Sequence, residues 1–92
     1  MGEVYSVHIV IRGRVQGVGF RYWLAGEAGS RKLSGWVRNR RDGAVEAVFA
    51  GDEAVVKDMI SACSLGPRFA DVSDIELLDE IATKDAKTRL QE

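Results

Sequence analysis

The spacing of apolar residues changes period repeatedly along this chain, and those changes constrain its fold more than any other feature. From Val4 to Arg12 the pattern alternates, with Tyr5, Val7, Ile9 and Ile11 on one side and Ser6, His8 and Arg12 on the other. That is a strand with one buried face. From Phe20 the period lengthens, and Phe20, Trp23, Leu24 and Ala28 form a helical stripe. Gly26 and Gly29 lie inside this helix, each costing up to ~1 kcal/mol relative to Ala, so packing must hold it. Leu33-Ser34-Gly35 leads into a second strand, Trp36 to Arg40, and Asp42-Gly43 is a hairpin turn signal. Val45, Ala47 and Phe49 alternate in a third strand, Ala44 to Ala50, which Gly51-Asp52 stops. Asp52 stands where a helix N-cap belongs. Val55, Val56, Met59, Ile60 and Cys63 then make a second helical stripe, closed by Gly66-Pro67. A fourth strand, with weaker alternation at Val72, Ile75 and Leu77, runs from Val72 to Leu78.

The resulting order is βαββαβ, which predicts an α+β ferredoxin-like sandwich: an antiparallel sheet with two helices on one face. No linker or repeat interrupts it, so residues 1–92 read as one domain. From Asp79 onward the chain is polar and poorly periodic. Residues 79–92 read as a tail or a loosely packed helix, and the pattern does not support a fifth strand. The one cysteine, Cys63, cannot close an intramolecular disulfide, and with the one histidine, His8, it makes no metal-ligand cluster. A chain this small must therefore be held by its core. No apolar run is long enough to span a membrane, and MGEVYSVH has neither a basic n-region nor an apolar h-region, so a cytoplasmic location is expected.

Thirteen Lys and Arg against fourteen Asp and Glu give a net charge of -1, with no basic excess for nucleic acid or an anionic membrane. The distribution is uneven. Residues 1–51 hold eight bases against four acids, and residues 52–92 hold five against ten. The basic half also holds Gly13-Arg14-Val15-Gln16-Gly17-Val18-Gly19, three glycines in seven residues between strand and helix. Small residues there let backbone N–H groups converge on an anion at a helix N-terminus. The dinucleotide fingerprint and the Walker loop both fail, because GxGxxG and GK[ST] are absent. Glycine spacing alone leaves two readings open, a tight turn and an anion site.

Arg21 separates them. It stands in the first helical turn, where a cation opposes the helix dipole at a cost of a few tenths of a kcal/mol. A bound anion reverses that sign, since Arg21, the loop amides and the dipole would then act on one negative group.

Gly13-Arg14-Val15-Gln16-Gly17-Val18-Gly19-Phe20-Arg21, Gly35-Trp36-Val37-Arg38-Asn39 and Asp42-Gly43-Ala44-Val45-Glu46 closely resemble the acylphosphatase family. Gly66-Pro67 with Ala70 and Val72 extends the resemblance, which covers roughly residues 5–78. It implies a ferredoxin-like fold and a hydrolase, without metal or other cofactor, that splits acyl phosphates into a carboxylate and inorganic phosphate. It further implies that Arg21 grips the phosphoryl group and that Asn39 holds the attacking water. Gln16, Gly17, Val18, Gly19 and Phe20 would supply the amides around the phosphoryl oxygens. The partners it implies are a small acyl phosphate and inorganic phosphate; separately, the chain is expected to be a monomer that engages neither nucleic acid nor membrane.

The chain departs from the family pattern at three places. Leu24 stands where a hydroxyl residue is usual. Arg31-Lys32 replaces Leu-Gly after the first helix, so either the helix lacks its left-handed cap or Lys32 adopts that conformation at some cost. The apolar, often aromatic fifth strand has no counterpart in residues 82–89. Elsewhere ordinary readings suffice. Arg38, Arg40, Arg41 and Arg14 read as solvated or as steering groups for an anion. His8 reads as a surface or partly packed residue, Cys63 as core, Trp36 as packed between sheet and helix, and Trp23 and Tyr22 as core in preference to a border on the acyl side of the site. A rival reading is RNA recognition, since such domains share βαββαβ and Gly17-Val18-Gly19-Phe20-Arg21-Tyr22-Trp23 echoes their aromatic motif. That motif belongs on the third strand, which here carries only Phe49. A regulatory module that has lost the chemistry is the other rival, and it would lack Arg21 or Asn39.

Overall fold

The computed structural model describes residues 4–83. Its elements are β1 (Val4–Arg14), α1 (Phe20–Ser30), β2 (Ser34–Asn39), β3 (Val45–Gly51), α2 (Glu53–Leu65) and β4 (Asp71–Thr83). The strands form an antiparallel sheet in the order β2-β3-β1-β4, with both helices on one face. This is the ferredoxin-like arrangement. The alternating residues of β1 and β3, Val7, Ile9, Ile11, Val45, Ala47 and Phe49, meet Phe20 and Leu24 of α1 and Val56, Met59 and Cys63 of α2 in one core. Periods of 2 and of 3.6 thus converge on a single buried layer. Burial pushes the Cys63 thiol up to about 12, which keeps it protonated and inert.

Two glycines are there because backbone approaches them. A Cβ on Gly13 (φ 124°) would lie 2.2 Å from the Asp71 carbonyl oxygen, and one on Gly35 (φ 139°) would lie 1.8 Å from that of Val48. The hairpin between β2 and β3 turns at Gly43 (φ 93°), and the Asp42 carboxylate accepts a bond from the Ala44 N–H at 3.1 Å. Asp52 occupies the N-cap of α2, although its side chain makes no capping bond.

Three expectations need correction. Residues 79–83 are neither tail nor helix. They continue β4, pairing His8 with Asp79 and Val4 with Thr83, and the Tyr5 hydroxyl donates to Glu80. The alternation failed to show this because Leu78 is a bulge, unpaired between Leu77 and Asp79, and shifts the register by one. Residues 84–92, including most of the stretch where a fifth strand was doubted, lie outside the described residues. Trp36 does not pack between sheet and helix. Odd-numbered residues of β2 face α1, so Trp36 lies on the open face, 46% exposed, with its ring edge 5.6 Å from His8. Tyr22 is not core but 88% exposed, whereas Trp23 packs against the core and Phe20.

Candidate active site

The loop from β1 to α1 is built to leave backbone N–H groups free. Gly17 (φ 76°) and Gly19 (φ 74°) are both left-handed, and Val18 between them packs on the core. A Cβ at either glycine would meet no atom within 4 Å, so conformation rather than space demands glycine. Gly19 is the N-cap of α1 and has no side chain to cap it, and no acid stands in the first turn. The first helical bond runs from the Trp23 N–H to the Gly19 carbonyl at 3.0 Å. The amides of Phe20, Arg21 and Tyr22 precede it and have no place in the α-helical ladder. Among the described residues, no loop amide from Gln16 to Gly19 donates to the protein.

Gln16, Gly17, Gly19, Phe20, Arg21 and Asn39 line one cleft of about 200 Å³ together with Val15 and Tyr22. Five sequence-predicted loop or helix residues therefore meet the predicted strand residue. Val18 is not among the lining side chains. Asn39 reaches the cleft because it ends β2 on the face that α1 covers, opposite Val45 in the ladder.

The Gln16 side chain has a job the sequence did not reveal. Its Nε2 donates to the carbonyls of Arg40 and Ala44, each at 2.8 Å, pinning the loop to the hairpin directly beyond Asn39. The two halves of the site are thereby held in register. Nothing local signals this, since the acceptors lie 24 and 28 residues away.

The arginines divide by pairing. Arg38 gives Nε and Nη2 to Glu46 at 2.9 and 2.8 Å, while His8 approaches the other Glu46 oxygen at 2.5 Å. These two partners, His8 foremost, hold the buried Glu46 carboxyl below its ordinary range. Arg40 pairs with Asp42 at 3.1 Å. Arg14, Arg21, Arg41 and Arg68 pair with no carboxylate among the described residues. Of these four, only Arg21 lines the cleft. Unpartnered amides, a helix N-terminus and a free guanidinium thus face one small space, which suits a single small anion. Among the described residues no three His, Cys, Asp or Glu side chains gather as a metal site, and no helix is long and apolar enough to cross a membrane.

The acylphosphatase family model matches residues 7–90 of the sequence. The chain belongs to the acylphosphatase family. It is 62% identical over 68 residues to the acylphosphatase of Nitrobacter winogradskyi, covering 74% of this chain and 69% of that one. With an acylphosphatase of Rhodopseudomonas palustris the identity is 54% over 85 residues, covering 92% and 83%. Among solved structures, the acylphosphatase from Bacillus subtilis superposes with a TM-score of 0.77 at 41% identity, covering 88% of this chain and 87% of that one. One from Coxiella burnetii gives 0.81 at 33%, covering 91% and 86%. The ferredoxin-like frame is therefore shared with solved acylphosphatase structures.

Proposed function

We propose that this acylphosphatase-family hydrolase cleaves acyl phosphates through Arg21, the amides of Gln16 to Phe20, and Asn39. The observation that carries this reading is the single cleft in which an unpaired guanidinium, an uncapped helix end and the Asn39 amide meet. The guanidinium takes two phosphoryl oxygens through parallel N–H bonds, and the loop amides take the rest. Phosphoryl transfer asks mainly for positioning and for charge placed on the equatorial oxygens, and these groups supply both.

Asn39 orients a water molecule toward phosphorus. Its amide is no base at neutral pH, so its role is geometric. The water oxygen bonds to phosphorus as the bond from phosphorus to the acyl oxygen breaks. The carboxylate departs with the bonding pair, and the water proton passes to a phosphoryl oxygen. A carboxylate of low pKa needs no strong general acid to leave, which accounts for a site without a histidine or a carboxylate dyad. The same reading takes the chain as a cytoplasmic monomer acting on a small molecule, with no nucleic acid or membrane partner.

The test is release of inorganic phosphate from benzoyl phosphate, with and without EDTA. Turnover by the wild-type chain, retained in EDTA and lost in Arg21→Ala, is the expected result. Turnover that survives Arg21→Ala, or that EDTA abolishes, would overturn the mechanism.

A further inference from the structure

The cleft that holds Arg21 and Asn39 continues beyond Tyr22. A second cleft, about 240 Å³, is lined by Arg21, Tyr22, Ala25 and Val37. A third, about 170 Å³, shares Ala25 and Val37 and runs on to Ala28, Gly29 and Leu33. Shared residues join the three into one groove along the seam between α1 and β2. We propose that this groove is an acyl subsite, selecting extended apolar acyl phosphates over acetyl phosphate. The proposal rests on the function assigned above.

The groove follows from two periodicities that start at the same place. On β2 every second residue faces α1, giving Asn39, Val37 and Gly35 in turn. On α1 the matching row steps by three or four from Tyr22 to Ala25 and then to Ala28 and Gly29. From Asn39 to Gly35 the strand covers about 13 Å, the length of an extended acyl chain. Past Tyr22 the row on α1 is made of residues too small to fill the seam. A Cβ on Gly29 would meet no atom within 4 Å, so space remains there. The large core contacts of α1 come from Phe20, Trp23 and Leu24, whereas Ala28 reaches the core only partly and also borders the groove. Beyond Arg21 no charged side chain lines the groove. Water held over such a surface is released when an alkyl or aryl group covers it.

The direction of the groove fits the chemistry. The first and second clefts share Arg21 and Tyr22 but not Asn39. An acyl group therefore leaves the phosphoryl site past Tyr22, away from the residue that orients the water. Tyr22, almost fully exposed at the rim, gives an aryl or alkyl group a ring to lie against.

The test compares kcat/KM of the full chain on acetyl, butanoyl, hexanoyl and octanoyl phosphate. A half-buried methylene predicts a rise of about twofold for each added carbon, or about sixtyfold from acetyl to octanoyl. Ala25→Trp fills the middle of the groove and should bring the octanoyl-to-acetyl ratio close to one. Gly29→Leu closes only the far end, so it should lower octanoyl turnover while the butanoyl-to-acetyl ratio keeps its wild-type value. Melting curves establish that both variants are folded. A flat chain-length profile with Arg21-dependent acetyl phosphate hydrolysis would overturn the subsite and leave the activity standing. A rise that neither variant alters would also overturn it. Failure to hydrolyse any member of the series would overturn the activity itself.

Discussion

The two ends of α1 are finished in opposite ways. At its C-terminus the Leu33 N–H bonds the Ala28 carbonyl and the Lys32 N–H bonds that of Gly29, both at 3.0 Å, which is the Schellman closure. Arg31 adds bonds to the Glu27 carboxylate at 2.7 Å and to Asp58 at 2.9 Å. At the N-terminus the cap is a glycine, the first turn has no acid, and the charge present has the sign the dipole disfavours. Among the described residues no buried side-chain nitrogen or oxygen lacks a hydrogen-bond partner. The N-terminus of α2 also lacks a side-chain capping bond but carries Glu53 in its first turn, so what sets the open end of α1 apart is a cation where an acid belongs, a local conflict that a bound anion would resolve.

The strongest way to break that contrast is to remove the charge at the open end. Arg21→Ala is expected to lower kcat/KM on benzoyl phosphate by about 10³- to 10⁵-fold, the range of a transition-state arginine. Its melting temperature should equal or exceed that of the wild type, because an unfavourable charge has left the first turn. Inorganic phosphate at about ten times its Kd should raise the wild-type melting temperature by several degrees and leave the variant unmoved. A variant that melts lower yet still turns over substrate would make Arg21 a structural residue and erase the contrast.

Asn39→Ala probes the strand side of the same cleft. The expected loss is about 10²- to 10³-fold in kcat, as for deletion of one well-aimed polar group. Phosphate protection should survive, because the amides and Arg21 remain. Loss of both together would mean that Asn39 binds the anion instead of the water.

Gln16→Leu tests whether the open end has to be held open in one geometry. The leucine keeps the volume but drops both bonds to the hairpin. A loop displaced by a fraction of an ångström should cost about 10- to 100-fold in kcat/KM. Phosphate protection should shrink in parallel, since the same amides bind ground state and product. Unchanged kinetics would show that the glycines alone fix the loop.

How much of this was legible in the sequence depends on the range of each interaction. The element order and the core could be read, because periodicity is local and the burial of Val7, Ile9, Phe20 and Met59 follows from it. Arg21 could be read for the same reason: a cation in a first helical turn is a local conflict. Asn39 carried no local signal and became a candidate only through the family resemblance. The strand at residues 79–83 was illegible because pairing with β1 and the bond from Tyr5 to Glu80 hold it, while the bulge at Leu78 disrupts its alternation. Tyr22 and Trp36 were misread because hydrophobicity suggests burial, whereas position on the element decides it. The groove was hidden for the opposite reason, since it is made by the smallness of Ala25, Ala28 and Gly29.

The closed end gives the smallest effect and sharpens the contrast from the other side. Lys32 sits at φ 59°, the one non-glycine among the described residues with a positive φ. The missing family glycine has therefore been replaced by strain and not by a different cap. A left-handed non-glycine residue costs about 1–2 kcal/mol, and the extra freedom of glycine in the unfolded chain returns up to ~1 kcal/mol of that. Lys32→Gly should accordingly stabilise the fold by about 1 kcal/mol, seen as a rise of about 4–8 °C in melting temperature. Lys32→Ala, which keeps the Cβ, should give no comparable gain. Activity on benzoyl phosphate should not change, because Lys32 lies at the far end of the helix from Arg21. A stabilised chain with unaltered kinetics would show that the two helix ends are independent, one optimised for the fold and one left open for the substrate. A change in kcat would instead mean that strain at Lys32 is transmitted along α1 to the anion site.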